Sequence, residues 1–183
     1  ERAFMRRLDN LQNFTYDPLN TKRGSSFLKD TTGIEAKKDV GRLSQRELWL
    51  VGVALYWAEG TKAKPWRTSV PVEFSNSDPR MVRLYMTWLT RCCKVSKLNI
   101  TVSIYIHESA KPNIECVKKY WSRWTGIPTS AFGYVYYKKH NPKTSRSNIG
   151  QSYNGNVRIQ VLKSTDLNRK IEGWTKGVYS GVV

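Results

Sequence analysis

The sequence contains few acidic residues, few cysteines and no long hydrophobic run. Asp and Glu together number 14 against 31 Lys and Arg, which gives a formal net charge of +17. An excess of positive charge on this scale is typical of proteins that bind polyanions, most often nucleic acid. The composition therefore predicts a nucleic-acid partner.

The scarcity of cysteine excludes two kinds of site. Cys92, Cys93 and Cys116 are odd in number and contain no CxxC pair, so neither a disulfide framework nor a cysteine knuckle for a metal is expected. This usage indicates a reducing compartment, either the cytoplasm with its nucleoid or another reducing one.

A membrane partner is not expected. The most apolar segment, "LWLVGVALYWA" at 48–58, has 11 residues and is too short to span a bilayer. The basic residues alternate with aromatic residues and strand-like runs, unlike the single amphipathic helix of a membrane-surface protein. Hydrophobic residues make up 39% of the chain, which is enough for a packed core.

The patterns divide the chain into two regions. Residues 1–43 predict an arm or linker, with a short helix at its start that places Phe4, Leu8 and Leu11 on one face, followed by polar loop sequence. Residues 44–183 carry the regular patterns of a folded domain.

Within 44–183, the patterns predict an α+β domain with a small, mainly antiparallel sheet packed by helices. An S-x-x-E capping box begins the first helix at Ser44, and Asp78 and Asp166 are the expected N-caps of later helices. Helices are predicted at 44–58, 78–93, 113–126 and 165–176. Strands are predicted at 70–76, 98–108, 133–140 and 156–164, the last two as a pair across a polar loop.

The longest acid-free stretch runs from Cys116 to Thr165 and is strongly basic. Ordinary surfaces mix charges of both signs, so a basic tract without acids favours nucleic-acid binding. A sheet whose exposed face carries basic and polar residues could lie in the major groove of DNA. The nine basic residues are Lys118, Lys119, Arg123, Lys138, Lys139, Lys143, Arg146, Arg158 and Lys163.

Three tyrosines leave the type of nucleic acid open. Tyr134, Tyr136 and Tyr137 could stack on unpaired bases, which would favour RNA or single strands. Alternate tyrosines could instead cover the core of the domain.

The helix predicted at 44–58 is apolar around its whole circumference. We expect it to be buried on most sides, either as a central helix of one domain or between the sheet and a second copy of itself. Glu59 follows it, although a carboxylate is disfavoured at the C-terminal end of a helix. It could be solvated, paired with Lys62 or Lys64, or bound to a cation. Gly60 is a natural residue just beyond a helix end.

Two such helices packed together would bring two Glu59 carboxylates close, which favours a divalent cation between them. At this point the chain resembles a known family. "GVALYWAEG" at 52–60 resembles the signature helix of LAGLIDADG homing endonucleases, with Leu55 on the internal Leu and 58–60 on the terminal Ala-Asp-Gly. It departs from that signature at Gly52, Tyr56 and Trp57.

The resemblance extends over about 44–178. It includes "ALYWAEGTK", "FSNSDPRMVRLYMTWL", "YIHES", "KKHNPKT" and "VRIQVLKSTDLNRKIEGW", which look like the LAGLIDADG-like domain of bacterial DNA-binding proteins. It implies a LAGLIDADG-type module whose sheet binds the major groove and whose motif helices pair at a two-fold axis. A single motif implies a homodimer through the 45–59 helix. The helix at 113–126 is extra to the minimal family module.

The resemblance also implies site residues. Glu59, with Gly60, would bind a catalytic Mg²⁺, and Lys138 or Lys139 would be the supporting basic residue. Candidate DNA contacts are Lys62, Lys64, Arg67, Lys138, Lys139, His140, Lys143, Arg146, Arg158 and Gln160. Candidate dimer contacts are Leu48, Val51, Gly52, Leu55 and Ala58.

The expected function is sequence-specific binding of double-stranded DNA, as a homing-type, Mg²⁺-dependent endonuclease that cuts phosphodiester bonds. Two alternatives keep the same fold. One is a non-catalytic, DNA-binding transcriptional regulator, and the other is an intron-RNA splicing cofactor.

Overall fold

The computed structural model describes residues 32–64, 66, 70–139 and 153–182 of the chain. Backbone contacts divide the chain into two units, Glu1–Leu43 and Ser44–Val183. In the first unit a helix, α1, covers 32–40, and all of its residues are exposed. The helix predicted near Phe4 lies outside the described residues.

The second unit is an α+β domain, as predicted. Its longer elements are α2 (Gln45–Glu59), β1 (Glu73–Asn76), α3 (Pro79–Arg91), β2 (Ile100–His107), α4 (Ile114–Thr125), β3 (Phe132–Lys138), β4 (Asn156–Val161) and α5 (Thr165–Ser180). Short 3-10 turns connect several of them.

The four strands form a mixed sheet in the order β1-β4-β2-β3. β4 is antiparallel to both of its neighbours, with Arg158 opposite Ser75 of β1 and Ser103 of β2. β2 and β3 are parallel. The predicted pairing of the strands at 133–140 and 156–164 is therefore wrong, because β2 lies between β3 and β4.

The position of β2 follows from its side chains and from the helix that follows it. Ile100, Val102, Ile104 and Ile106 are all buried, as is typical of an interior strand. α4 then carries the chain back to begin β3 beside β2, and a parallel pair requires such a crossover. α4 ends at Gly126, whose φ of 67° is the left-handed conformation that favours glycine.

The hydrophobic core lies between the helices and one face of the sheet. α3 contacts α2, α4 and β1, and its Tyr85 and Trp88 are fully buried. The ring of Phe74 stacks on Tyr85 with 4.3 Å between centroids. β4 contributes the alternate residues Val157, Ile159 and Val161.

α2 begins with the predicted capping box. Ser44 Oγ accepts a hydrogen bond from the backbone N–H of Glu47 at 3.2 Å, and the Glu47 carboxylate accepts one from the backbone N–H of Ser44 at 2.6 Å. These hydrogen bonds lower the pKa of Glu47. The capping box fixes the start of the helix because it satisfies two backbone donors that have no partner within the helix.

Only one side of α2 is buried in this unit, although it was expected to be buried on most sides. The buried residues are Leu48, Gly52, Val53 and Tyr56. A Cβ atom at Gly52 would overlap the indole ring of Trp88. Glycine therefore allows α3 to approach α2 closely.

The helix ends at Glu59, and Gly60 has a different role from the one expected. Its φ of −81° and ψ of 163° are extended, not left-handed. A Cβ atom at Gly60 would approach the ring of Tyr56 more closely than real Cβ atoms do. Gly60 also forms an antiparallel bridge with Phe74, and so connects the end of α2 to β1.

The start of α5 corrects one prediction. Ser164 occupies the N-cap position, and Asp166 lies in the first turn, where it pairs with Arg169 at 3.2 Å. Ser164 Oγ accepts from the backbone N–H of Val72 at 2.7 Å and donates to the Val161 carbonyl at 2.6 Å. Asp166 is therefore not the N-cap.

Within the residues described above, no helix has both the length and the apolar composition needed to cross a membrane.

Candidate nucleic-acid interface

One face of the sheet points away from the buried core, and we call it the open face. Its side chains alternate along the strands with the core residues, and all of them except the buried Ser103 are half-buried or exposed. Most of these side chains carry hydrogen-bonding groups, and Glu73 is the one acid among them. The open face comprises Glu73, Ser75, Thr101, Ser103, Tyr105, His107, Tyr136, Lys138, Asn156, Arg158 and Gln160.

A group of cations and aromatic rings occupies part of this face. The rings of Tyr105 and Tyr136, which are paired across β2 and β3, stack with 4.6 Å between centroids and 11° between planes. The guanidinium of Arg158 lies 5.1 Å from the Tyr105 centroid and 5.7 Å from that of Tyr136. Lys138 Nζ lies 5.9 Å from the Tyr105 centroid. We call Tyr105, Tyr136 and Arg158 the tyrosine–arginine cluster.

The electrostatics of this cluster keep its groups in defined protonation states. Burial raises the pKa of Tyr105, and the positive charge of Arg158 lowers it in part. The Tyr105 hydroxyl therefore remains protonated near neutral pH and can donate a hydrogen bond.

The candidate DNA contacts lie in different places. Arg158 and Gln160 are on the open face, and Lys138 ends β3 beside it, followed by the exposed Lys139. Lys64 is exposed, with Nζ 5.5 Å from the ring centroid of Trp66. Arg67, His140, Lys143 and Arg146 lie outside the described residues.

The tyrosines of β3 alternate in the way that a strand requires. Tyr136 faces the open side, and Tyr137 is in register with the buried Ile106 on the other side. Tyr134 is 76% exposed. Tyr105 was not predicted as a site residue, although the alternation of Thr101, Ser103 and Tyr105 with isoleucines and valine could have identified it.

Glu59 is exposed at the C-terminal end of α2. Lys62 does not pair with it, since its Nζ donates to the carbonyls of Ala58 and Gly60 at 3.4 and 3.3 Å. Those hydrogen bonds give partners to carbonyl groups at the C-terminal end of α2 and place a cation where the helix dipole favours one. Gly60, the second predicted metal ligand, thus already shares its carbonyl oxygen with an ammonium.

The described residues do not form a complete metal site by themselves. They contain no group of three or more His, Cys, Asp or Glu side chains that could hold an ion. A single exposed carboxylate suits Mg²⁺, which proteins often bind through one or two carboxylates together with water and phosphate oxygens.

The predicted dimer contacts divide between the two sides of α2. Leu48 and Gly52 are buried against the core of their own domain, and Leu55 is half-buried. Val51 and Ala58 lie on the opposite side, which remains exposed. The exposed apolar residues of that side, which we call the α2 stripe, are Leu50, Val51, Ala54, Trp57 and Ala58.

A cavity of about 580 Å³ opens beside the α2 stripe, between the end of α2 and α5. Trp57 belongs to both, and Lys62 and Tyr179 also line the cavity. Asn168 forms part of its wall and connects the two helices, because its Nδ2 donates to the Tyr56 hydroxyl at 3.3 Å. This buried amide was not predicted from the sequence.

No protein-family model matches this chain, and neither a curated protein nor a solved structure does.

Proposed function

We propose that this chain binds double-stranded DNA, with the open face of its sheet in the major groove. The observation that carries the proposal is the tyrosine–arginine cluster beside Lys138, on the open face of a chain with a net charge of +17. The major groove is about 12 Å wide and admits a two-stranded ribbon. The uncharged polar residues Thr101, Asn156 and Gln160 suit base edges, and the lysines suit phosphates.

The tyrosine geometry favours duplex DNA over unpaired bases. Tyr105 and Tyr136 stack on each other, and the Arg158 guanidinium lies near both rings. The faces that Tyr105 and Tyr136 turn towards each other are not accessible to a splayed base, whereas recognition of single strands relies on free aromatic faces, of which Tyr134, 76% exposed, offers one. Guanidinium and amide groups are the ones that recognise base edges in a duplex.

DNA binding is tested by fluorescence anisotropy on a random-sequence duplex over a series of salt concentrations. Lys138→Gln should weaken binding and reduce the salt slope by about one, because one phosphate contact is lost. Lys119→Gln is the matched control, since Lys119 is exposed on α4, which packs on the other side of the sheet. Equal effects of the two substitutions would show that charge alone, and not the open face, governs binding.

We propose further that the chain acts as a homodimer through the α2 stripe, in a LAGLIDADG-type arrangement. Exposed Trp57, Val51 and Leu50 form an apolar surface on a helix, and Ala54 and Ala58 between them allow a second helix to approach. In sedimentation velocity, Ala54→Glu should convert dimers to monomers. Cys116→Glu, at an exposed position of α4, introduces the same charge and should leave the dimer intact. A wild-type monomer at high concentration would contradict the proposal.

The dimer would bring two Glu59 carboxylates to the two-fold axis, where they could hold a Mg²⁺ that activates water and polarises the scissile phosphate. We propose Mg²⁺-dependent endonuclease activity on this basis. Glu59→Gln should abolish nicking of plasmid DNA and leave duplex binding unchanged.

The same assays distinguish the alternatives. If the wild-type protein binds duplex DNA and never nicks it with Mg²⁺ or Mn²⁺, the protein is a non-catalytic regulator. If structured RNA competes far better than duplex DNA at matched salt, it is an RNA-binding splicing cofactor.

A further inference from the structure

Arg158 lies on β4 between two small residues. The strand is interior to the sheet, and the residues opposite Arg158 are Ser75 on β1 and Ser103 on β2. Short side chains on both sides leave the guanidinium as the tallest group in its row across these three strands. A flat molecular edge could therefore approach it.

Two rings limit the orientations of this guanidinium. Its carbon lies 5.1 Å from the Tyr105 centroid and 5.7 Å from the Tyr136 centroid, and these rings are themselves stacked. Guanidinium groups near aromatic rings are attracted by the ring quadrupole and lose conformational freedom. The cost of ordering a long side chain is thus met before any ligand binds.

At least one hydrogen-bond donor of Arg158 has no partner within the described part of the chain. Its Nε is buried without a hydrogen-bond partner there, and no carboxylate of the described residues forms an ion pair with it. An arginine has five donors and no acceptor. A half-buried cation with an unpaired donor is costly, so acceptors from a ligand would be strongly favoured.

The neighbours of Arg158 indicate a base edge and not a phosphate. Gln160 and Asn156 lie next to it along β4 on the same face, and both are uncharged. The backbone of Lys138 is in register with His107, four residues along β2 from the Ser103 that pairs with Arg158, although its Nζ reaches to 5.9 Å from the Tyr105 centroid. The middle of a sheet in the major groove faces the floor, where guanine presents the two acceptors O6 and N7 to one guanidinium.

We propose that Arg158 is a specificity-determining residue that binds the O6 and N7 atoms of one guanine, and that Tyr105 and Tyr136 are its positioning residues. The inference rests on the proposed binding of duplex DNA. It adds which base is recognised and how the recognising arginine is positioned.

The test begins by selecting preferred duplexes from a random library with the wild-type protein and with Arg158→Lys. Lysine keeps the charge and loses the bidentate fork. The wild type should select a site with one strongly preferred guanine. Arg158→Lys should select the same site with a weaker preference, because an ammonium can reach O6 and N7 but lacks the rigid fork. At the selected site, Arg158→Lys should bind about 5- to 150-fold more weakly, with an unchanged salt slope.

A modified base locates the contact. Replacing the preferred guanine by 7-deazaguanine removes the N7 acceptor and should weaken wild-type binding more than it weakens binding by Arg158→Lys. The positioning role is tested by Tyr105→Leu, which should lose the guanine preference at an unchanged salt slope. Tyr105→Phe retains the ring and should retain the preference. Equal melting temperatures would establish that all variants are folded.

Each other outcome contradicts a specific statement. If Arg158→Gln selects the same guanine as strongly as the wild type, or weakens all duplexes equally and lowers the salt slope by about one, Arg158 contacts a phosphate and the inference is wrong, while DNA binding stands. Binding of duplexes without any preference also overturns the inference alone. If the wild type binds no duplex, the inference and the proposed function both fail.

Discussion

Replacing Gly52 by alanine should destabilise the domain, although alanine is the better helix former. A Cβ atom at Gly52 would lie closer than 3.0 Å to the indole of Trp88, a fully buried side chain. Overpacking of a core costs about 1–3 kcal/mol of stability, and so severe an overlap should cost about 3 kcal/mol. The higher helix propensity of alanine relative to glycine offsets about 1 kcal/mol of this cost. The net loss should be about 2 kcal/mol.

The control is Gly173→Ala in the middle of α5, where a Cβ atom would meet nothing within 4 Å. It should stabilise the domain by about 0.5–1 kcal/mol, because only the propensity term remains. In thermal unfolding followed by circular dichroism, Gly52→Ala should lower Tm by about 4–8 °C. A rise in Tm for both variants would refute the packing of α2 on α3. A Tm change for Gly52→Ala that appeared only at dimer-forming concentrations would place Gly52 in the dimer contact.

Three further results are expected. Ser44→Ala should reduce the unfolding free energy by about 1 kcal/mol in urea titrations, because the capping box is lost; no change would mean that α2 does not depend on its cap. At pH 8, exposed Cys116 should react quickly with an aromatic disulfide reagent. Cys93, whose pKa burial raises to about 12, should react only on unfolding. Fast reaction of both cysteines would contradict the burial of Cys93. Stability should fall above about pH 10, because burial raises the pKa of Tyr56 to about 12 and holds the pKa of Tyr85 well above its usual range. The folded chain then keeps protons that the unfolded chain releases near pH 10, and alkaline titration of unfolding checks the sign.

Helices α2 to α5 could be predicted because their signals are local, whereas α1, at 32–40, lies where a linker was predicted. The capping box at Ser44, the Asp78-Pro79 pair and the left-handed Gly126 each act within one turn of chain, and the structure has all three. Asp166 was assigned as an N-cap by residue type alone. Ser164 occupies that position, and its hydroxyl accepts a hydrogen bond from the backbone N–H of Val72, 92 residues away in sequence. Local sequence patterns do not indicate such a distant partner.

The strand order and the open face depend on distant pairing. Alternation can mark the buried residues of a strand, as it does for Ile100, Val102, Ile104 and Ile106 of β2, but it does not encode which strand lies beside which. The stacking of Tyr105 on Tyr136 depends on the parallel pairing of β2 with β3, which was not expected. The basic character of the site was visible in the sequence, and its cluster geometry was not.

The insertion of β4 between β1 and β2 has a consequence for synthesis of the protein. β4 is the last strand in sequence, yet it supplies a hydrogen-bonded neighbour to both. While a ribosome is still translating the chain before Asn156, β1 and β2 have no β4 partner, and their backbone groups are open to pairing with other nascent chains. Helices α3 and α4 can form early from local contacts, whereas the sheet must wait. Assembly of the domain therefore takes place late in translation or after it, and the unfinished chain is the form most in need of chaperones.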